Sequence, residues 1–275
     1  MNKLVADNQI QKIDKVGTIT DKYFFENYAS KSKPVVLTEH INNWKAVKEW
    51  SFDYFKENYG DTVVTIHTCK PPTNTDLYET TLGEYVDYLK AGVFEDDPWY
   101  CDWIFMDNQP ELLEDYEKIT AFGDNWISYI PRGVLNDTKW IYMGPKGTGT
   151  PLHIDFSMTS AWNAVIVGQK KWAFFHPDQT PYLYDGKVDV FNPDLEKFPL
   201  FKNATPIIVT QNPGEVMYTP SGWWHQVLNI ESGISITENF INSTNAEDAL
   251  WPYLKMVVTK NDWDLKEKKI KLTEE

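Results

Sequence analysis

The sequence has little cysteine, with Cys69 and Cys101 the two examples among 275 residues. Two cysteines cannot build a disulfide framework of the kind that holds small secreted domains, and these two match no zinc-binding pattern. We therefore expect two reduced thiols in a protein of the cytoplasm.

The sequence also lacks long apolar runs. No stretch approaches the roughly 20 apolar residues that a membrane-spanning helix needs, and residues 1–9 lack the apolar core of a signal peptide. Internal repeats, low-complexity segments and flexible linkers are missing as well. These features predict a soluble, cytoplasmic protein with no membrane partner.

Positive charge is scarce, because 26 lysines and arginines stand against 40 acidic residues, for a net charge of −14. Such a chain has no basic surface to offset repulsion from nucleic-acid phosphates, which argues against a nucleic-acid partner. The same charge favours a basic substrate, although acidic surfaces often serve solubility alone.

Apolar and aromatic residues are plentiful, at 42% and 15%, so the chain can bury a substantial core. The first third predicts helices and short strands: Ser51 is a candidate N-cap, and Thr81 and Glu84 have capping-box spacing ahead of Gly92. From residue 137, short strands alternate with turns, as in a barrel or jelly roll. We expect one catalytic unit with an α/β cap at 1–95, a β core at 96–244 and a helical segment with a charged tail at 245–275.

The strongest chemical signal is a pair of metal-ligand types at alternating positions. His153 and Asp155 lie two residues apart in a strand-like segment, so both side chains can face one ion. His225 follows a turn at 220–222 and supplies a second imidazole. Two histidines and one carboxylate are the ligand set of the facial triad that holds non-haem Fe(II) with open positions.

Five ordered blocks of sequence surround these ligands. They are Gly-Thr-Gly-Thr-Pro-Leu-His-Ile-Asp, Thr-Ser-Ala-Trp-Asn, Gly-Gln-Lys-Lys-Trp, Pro-Ser-Gly-Trp-Trp-His and Ile-Thr-Glu-Asn-Phe, between Trp140 and Asn242. Together they resemble the jumonji C, cupin-like branch of the Fe(II)- and 2-oxoglutarate-dependent oxygenases. The resemblance implies a mainly β fold, a double-stranded β-helix (jelly-roll or cupin) barrel with an N-terminal α/β cap and C-terminal helices.

The resemblance also implies the reaction and its cofactors. His153, Asp155 and His225 would bind Fe(II), while 2-oxoglutarate and O₂ would be converted to succinate and CO₂ as a C–H bond is hydroxylated. No catalytic side chain beyond the metal ligands is implied. An amino-acid side chain is the expected target, in a protein, in a peptide or free.

Six further residues match positions that bind 2-oxoglutarate in this family. Lys170 is expected to pair with the distal carboxylate, and Lys171, one residue out of phase on the strand, is expected to face away. The remaining five would complete the pocket by hydrogen bonding: Tyr100, Thr150, Asn163, Thr237 and Asn239.

Two segments outside the motifs carry expectations of their own. The stretch from His176 to Asn203, rich in proline, aromatic and acidic residues, is expected to line the mouth of the site and to favour a cationic substrate. The helix that begins near Asn245 carries an apolar stripe, which would serve either packing against the barrel or a homodimer interface.

Other functions remain open at the level of sequence. Demethylation of N-methyl-lysine or N-methyl-arginine uses the same iron chemistry. A non-catalytic cupin that binds a metal or small ligand is a third possibility, less favoured because the ligand set is intact and accompanied by Lys170.

Overall fold

A computed structural model of the chain describes residues 12–69, 76–94, 97–129 and 138–255. These ranges contain thirteen strands, listed in chain order: β1 Asp14–Val16, β2 Val35–Leu37, β3 Val63–Thr68, β4 Leu77–Thr81, β5 Trp99–Trp103, β6 Lys139–Gly144, β7 Gly149–His153, β8 Ser160–Val167, β9 Lys170–Phe175, β10 Ile207–Gln211, β11 Val216–Thr219, β12 Trp224–Asn229 and β13 Gly233–Phe240. The α-helices are α1 Asp21–Asn27, α2 Lys45–Glu49, α3 Phe52–Tyr59, α4 Leu82–Ala91 and, in its described part, α5 at 246–255.

The strands form two sheets that pack face to face. The major sheet has nine strands in the order β1-β2-β11-β8-β13-β6-β5-β3-β4, and the minor sheet has four in the order β10-β9-β12-β7. A cluster of apolar side chains drawn from both sheets, including Val36, Met217, Trp172 and Phe174, fills the space between them. This mainly β, jelly-roll arrangement confirms the predicted fold class.

The N-terminal third is joined to the barrel through the major sheet. Strands β1 to β4 come from this third and extend the sheet at both of its edges. Helix α4 begins as its sequence predicts: Thr81 and Glu84 exchange both hydrogen bonds of a capping box, and Gly92 ends the helix with a left-handed φ of 66°. Ser51 caps α3 by accepting from the backbone N–H of Tyr54.

The helices cover the outer face of the major sheet. The largest apolar cluster joins Phe24, Phe55 and Leu82 of the helices to Trp162 and Tyr218 on the outward face of the strands. Because alternate strand residues point to opposite faces, this packing leaves the other residues of β8, β13, β6 and β5 facing the minor sheet. The interior between the sheets is where the predicted ligands lie.

The segment from His176 to Asn203 is ordered, but it does not line the pocket. Its apolar side chains, Leu183, Val188 and Phe198 among them, pack on the outer face of the minor sheet against Leu152 and Phe175. The expectation that it forms the mouth is therefore wrong. Strand alternation exposes apolar residues on the outward face of β7 and β9, and this segment buries them.

Candidate metal and cosubstrate site

Neighbouring strands of the minor sheet bring the three predicted metal ligands together. His153 ends β7 and lies directly opposite His225 of β12, with ring centroids 4.1 Å apart. Asp155 follows β7 in extended backbone, so its side chain returns to the same face. Its two carboxylate oxygens each lie 4.0 Å from one histidine Nε2 atom. The three ligand atoms are within 4.8 Å of one another and can hold one metal ion.

Backbone carbonyls fix the tautomer of both histidines. Nδ1 of His153 lies 2.8 Å from the carbonyl oxygen of Pro151, and Nδ1 of His225 lies 3.1 Å from that of Trp223. A carbonyl oxygen can only accept, so each Nδ1 carries the proton and donates it. Each Nε2 then keeps its lone pair on the side of Asp155, as a metal-binding imidazole requires.

The electrostatics of these residues also fit a cation. Burial raises the pKa of Asp155, and His153 and Asn239 oppose that shift. Burial, together with His153, lowers the pKa of His225 well below its usual range, which keeps the imidazole neutral. Among the described residues, the buried Oδ2 atom of Asp155 has no hydrogen-bond partner. A buried carboxylate oxygen left unpaired is costly, and a divalent ion among these donors would remove that cost.

Lys170 lies on the inward face of β9, and 5% of its surface is exposed to solvent. Its Nζ donates to Asn229 Oδ1 at 2.9 Å and to the Tyr100 hydroxyl at 3.4 Å, and it lies 5.7 Å from the ring centres of Tyr100 and Tyr142. Among the described residues, no carboxylate oxygen comes within 4.0 Å of it. Burial lowers the pKa of Lys170 to about 7.

One pocket contains all nine predicted site residues. Its lining includes the three metal ligands and six others: Tyr100, Thr150, Asn163, Lys170, Thr237 and Asn239. Lys171 is not among the lining residues, and its Nζ lies 5.2 Å from the ring centre of Phe191. The strand period thus separates the two neighbouring lysines as predicted.

Hydrogen bonds orient the polar side chains of the pocket. Asn163 of β8 lies opposite Thr237 of β13 and donates to its hydroxyl at 2.6 Å, while Asn239 donates to Thr159 at 2.7 Å. The Oδ1 atom of Asn163 is buried and has no hydrogen-bond partner in the part of the chain that the structure describes. This oxygen accepts only, so it suits a ligand hydroxyl, amide or bound water within the same pocket.

Asn229 was not predicted from the sequence as a site residue. This residue lies opposite Lys170 in the β9–β12 pair, accepts from its Nζ, and donates to the hydroxyl of Thr148 at 3.1 Å. The alternation of β12 could have identified it, because positions 225, 227 and 229 share a face. Tyr142 also contributes to the lining, whereas Trp162 packs in the outer apolar cluster and Trp223 packs in the core between the sheets.

Comparisons with known proteins agree with this geometry. The family model described as a cupin-like domain matches residues 21–246. Lysine-specific demethylase JMJ21 of Arabidopsis thaliana is 32% identical, over 81% of this chain and 24% of its own length. The 2-oxoglutarate and iron-dependent oxygenase JMJD4 of Gallus gallus is 30% identical, over 91% of this chain and 64% of its own.

A third relative carries two activities in its name. The bifunctional arginine demethylase and lysyl-hydroxylase psr-1 of Caenorhabditis elegans is 28% identical, over 89% of this chain and 64% of its own length. The chain thus spans less than two thirds of the length of each of these relatives. Since the family model covers most of the chain and the jelly roll carries the expected ligand triad, this protein belongs to the cupin-like domain family, in its jumonji C branch.

Proposed function

We propose that this protein is an Fe(II)- and 2-oxoglutarate-dependent oxygenase that hydroxylates an amino-acid side chain of a protein or peptide. The supporting observation is one pocket that combines a His-Asp-His ligand set with a buried lysine, Lys170, which faces no carboxylate among the described residues. A bound metal would satisfy Asp155, and the distal carboxylate of 2-oxoglutarate would pair with Lys170. Fe(II) would therefore supply the cation that suits Asp155, and 2-oxoglutarate would supply the carboxylate that suits Lys170.

Bound iron would supply activation of O₂ and oxidation of the substrate C–H bond, with 2-oxoglutarate converted to succinate and CO₂ in the same turnover. The residues of this chain would bind and orient. His153, Asp155 and His225 would hold the ion, and Lys170 would fix the far end of the cosubstrate.

The other polar residues would complete the cosubstrate site. Tyr100, Asn163 and Thr237 lie in the same pocket lining as Thr150 and Asn239, and each can hydrogen bond to a carboxylate or to an ordered water. Hydrogen bonds to charged oxygens contribute about 1.5–3 kcal/mol each. Burial of the pocket would exclude water from the reacting atoms.

Demethylation of N-methyl-lysine or N-methyl-arginine is the second candidate. It is favoured by the names of two relatives, JMJ21 and psr-1, the second of which joins demethylase and hydroxylase in one protein. Hydroxylation of an N-methyl group and release of formaldehyde would use the same site. A non-catalytic cupin is less well supported, because it leaves the buried lysine without a purpose.

The deciding experiment measures succinate formed from 2-oxoglutarate by the purified protein with Fe(II) and O₂. Candidate peptides with lysine, arginine or their N-methyl forms are then examined by mass spectrometry. Gain of one oxygen supports hydroxylation, and loss of a methyl group with formaldehyde release supports demethylation. Failure to form succinate, with or without peptides, in protein shown to bind Fe(II) and 2-oxoglutarate would favour the non-catalytic cupin.

The quaternary structure and location form a subsidiary proposal. Helix α5 packs Ala249 and Tyr253 against Ile127 and Ile241, while Trp251 on the same helix is 72% exposed. We infer that this outer face joins two copies, so Trp251→Asp should convert a dimer to a monomer in light scattering.

The described residues contain no helix able to cross a membrane. A cytoplasmic location stays a prediction, which fractionation of the native cells would test.

A further inference from the structure

The major sheet extends past the minor sheet on one side of the pocket. Tyr100 of β5 lines the pocket and lies opposite His67 of β3, which lies opposite Leu77 of β4. Residues directly opposite each other in an antiparallel pair have side chains on the same face. Leu77 and His67 therefore lie on the face that forms the pocket.

The same face continues along each strand with a period of two. It includes Val63 and Thr65 of β3 and Glu79 of β4, and it includes Asp102 of β5 beside Tyr142 of β6. We call this set the shelf: Val63, Thr65, Leu77, Glu79 and Asp102.

The shelf is uncovered in the described structure. Leu77 is 70% exposed and Val63 is 59% exposed, unusually high values for large apolar residues on the inner face of a sheet. Thr65 and Glu79 are exposed too. The minor sheet has four strands against nine, and β3 and β4 are the last two strands at this edge. The apolar part of the shelf thus has no protein layer above it among the described residues.

The shelf is acidic as well as apolar. Strands β3, β4 and β5 contain no lysine or arginine, while Glu79 and Asp102 place carboxylates on the shelf. Asp102 accepts from Nε2 of His67 at 3.3 Å, and its side chain is 40% exposed. Nδ1 of His67 lies 3.1 Å from the carbonyl oxygen of Thr68, so both ring nitrogens of His67 donate. Burial opposes the charged form, but hydrogen bonds to Asp102 and Cys69 raise the pKa of His67 to about 10. The His67 cation thus offsets Asp102, and Glu79 supplies the net negative charge of the shelf.

Asp102 connects the shelf with the metal site through Tyr142. Burial raises the pKa of the Tyr142 hydroxyl, and the charges of Asp102 and Asp155 both add to that shift. Asp102 lies directly opposite Tyr142 in the β5–β6 pair, and Tyr142 lines the pocket, so the shelf and the pocket adjoin at these two residues.

We propose that the shelf is the docking surface for a basic polypeptide substrate, whose target lysine or arginine passes Asp102 to reach the metal site. This inference rests on the proposed function and specifies its substrate. From Tyr142 to Glu79 there are three strand spacings, roughly 14 Å, which an extended chain spans with about four residues. A free amino acid cannot occupy both the pocket and the shelf, whereas a polypeptide can.

Binding is the first test, because it does not depend on turnover. Short fluorescent peptides with a central lysine or arginine, flanked by basic and apolar residues, are titrated into protein loaded with Mn(II) and 2-oxoglutarate, and anisotropy is measured. Wild-type protein should bind these peptides more tightly than versions with acidic flanks. Glu79→Lys and Leu77→Ser should each weaken binding roughly three- to tenfold.

Matched controls lie elsewhere on the surface. Glu57 of α3 and Leu195 are exposed, and neither belongs to the shelf. Glu57→Lys and Leu195→Ser reproduce the same changes in charge and apolarity, and they should leave the dissociation constant unchanged. Equal weakening by shelf and control variants, or no preference for basic flanks, would overturn the proposal.

Succinate formation separates this inference from the function on which it rests. Basic peptides should stimulate succinate release more than free lysine or arginine at equal concentration, and the shelf variants should raise the half-saturating peptide concentration while basal release is unchanged. Stimulation by free amino acids equal to that by peptides would refute the shelf and leave the oxygenase standing. Peptide binding that depends on the shelf, without any succinate, would refute the oxygenase instead.

Discussion

The role of Lys170 in cosubstrate binding can be tested by comparison with Lys171, its neighbour on β9. Lys170→Ala should raise the apparent KM for 2-oxoglutarate roughly 10- to 100-fold, because charged hydrogen bonds contribute about 1.5–3 kcal/mol. Lys171→Ala should change it little, since that side chain lies over Phe191 outside the pocket. Steady-state succinate assays at saturating Fe(II) measure both. A larger effect at Lys171 would show that the other face of β9 binds the cosubstrate.

The pKa of Lys170 predicts how cosubstrate affinity depends on pH. Burial lowers this pKa to about 7, so the ammonium loses its proton above neutral pH in the free protein. A bound dicarboxylate favours the charged form, and binding above pH 7 therefore takes up a proton. The dissociation constant should rise with pH, by up to about tenfold per unit, until the pKa of the bound state is reached.

Calorimetry with Mn(II)-loaded protein in buffers of different ionisation enthalpy would measure this proton uptake. The Lys171→Met variant should keep the same profile as wild type. Without cosubstrate, burying the charged Lys170 side chain lowers the free energy of unfolding, and this effect is fully present below pH 7. The effect fades as the pH rises toward 10.5, the pKa of the lysine in the unfolded chain. Lys170→Met should therefore stabilise the free protein most at acidic pH. A flat affinity between pH 7 and 9 in wild type would contradict this account.

Most of the ligand set could be read from residue type and spacing. The His-x-Asp pair, the distant histidine and the out-of-phase lysines rest on local strand geometry, and the structure brings these residues together as expected. Asn229 was missed because its role depends on which strand pairs with β9, a long-range fact that one sequence does not specify. The prediction that the segment from His176 to Asn203 lines the mouth of the site was wrong for the same reason.

At the scale of elements, the close approach of β7 and β12 depends on a glycine. A Cβ atom at Gly149 would lie 2.0 Å from the carbonyl oxygen of Val227, so any larger residue must push the strands apart. Gly149→Ala should weaken metal binding by at least about tenfold, because His153 and His225 lie on these two strands.

Titration with Co(II), followed by absorbance, would measure that loss of affinity. Gly92→Ala is the matched control, since Gly92 has a φ of 66° and open space around it. The control should cost roughly 1 kcal/mol of folding stability without changing metal affinity. Normal Co(II) affinity in the Gly149 variant would show that the strands adjust independently of the site.

Helix starts were the most predictable elements, and the 3₁₀ segments the least. The capping box at Thr81 is a local pattern of side chain and backbone, so the sequence alone specified it. The region Pro110–Tyr129 instead contains short 3₁₀ turns, which have no strong periodic signal. One of them, Thr120–Phe122, holds Phe122 against Phe24 and Tyr218, a contact visible only in the folded chain.

For the whole molecule, ligands should stabilise the fold in a definite order. A ligand that binds only the native state adds about 2.7 kcal/mol at 100 times its dissociation constant, which corresponds to a rise in Tm of roughly 5–11 °C for a domain of this size. Mn(II) by itself should raise Tm, and 2-oxoglutarate added to the Mn(II)-loaded protein should raise Tm further. Differential scanning calorimetry of wild type and Lys170→Ala tests this, because the second increment should shrink in the variant. An equal increment in both proteins would exclude Lys170 from cosubstrate binding.

The central position of β12 fixes the distance between His225 at the metal site and Asn229, the partner of Lys170. This strand is hydrogen-bonded to β7 on one side and β9 on the other, and it carries both His225 and Asn229, the partner of Lys170. Four residues of extended chain separate those two positions by roughly 13 Å, and a strand bonded on both edges neither stretches nor slides. In the proposed function, this fixed distance would select the cosubstrate by its length. A diacid with one methylene more or fewer than 2-oxoglutarate would engage the metal or the lysine in proper geometry, but not both together.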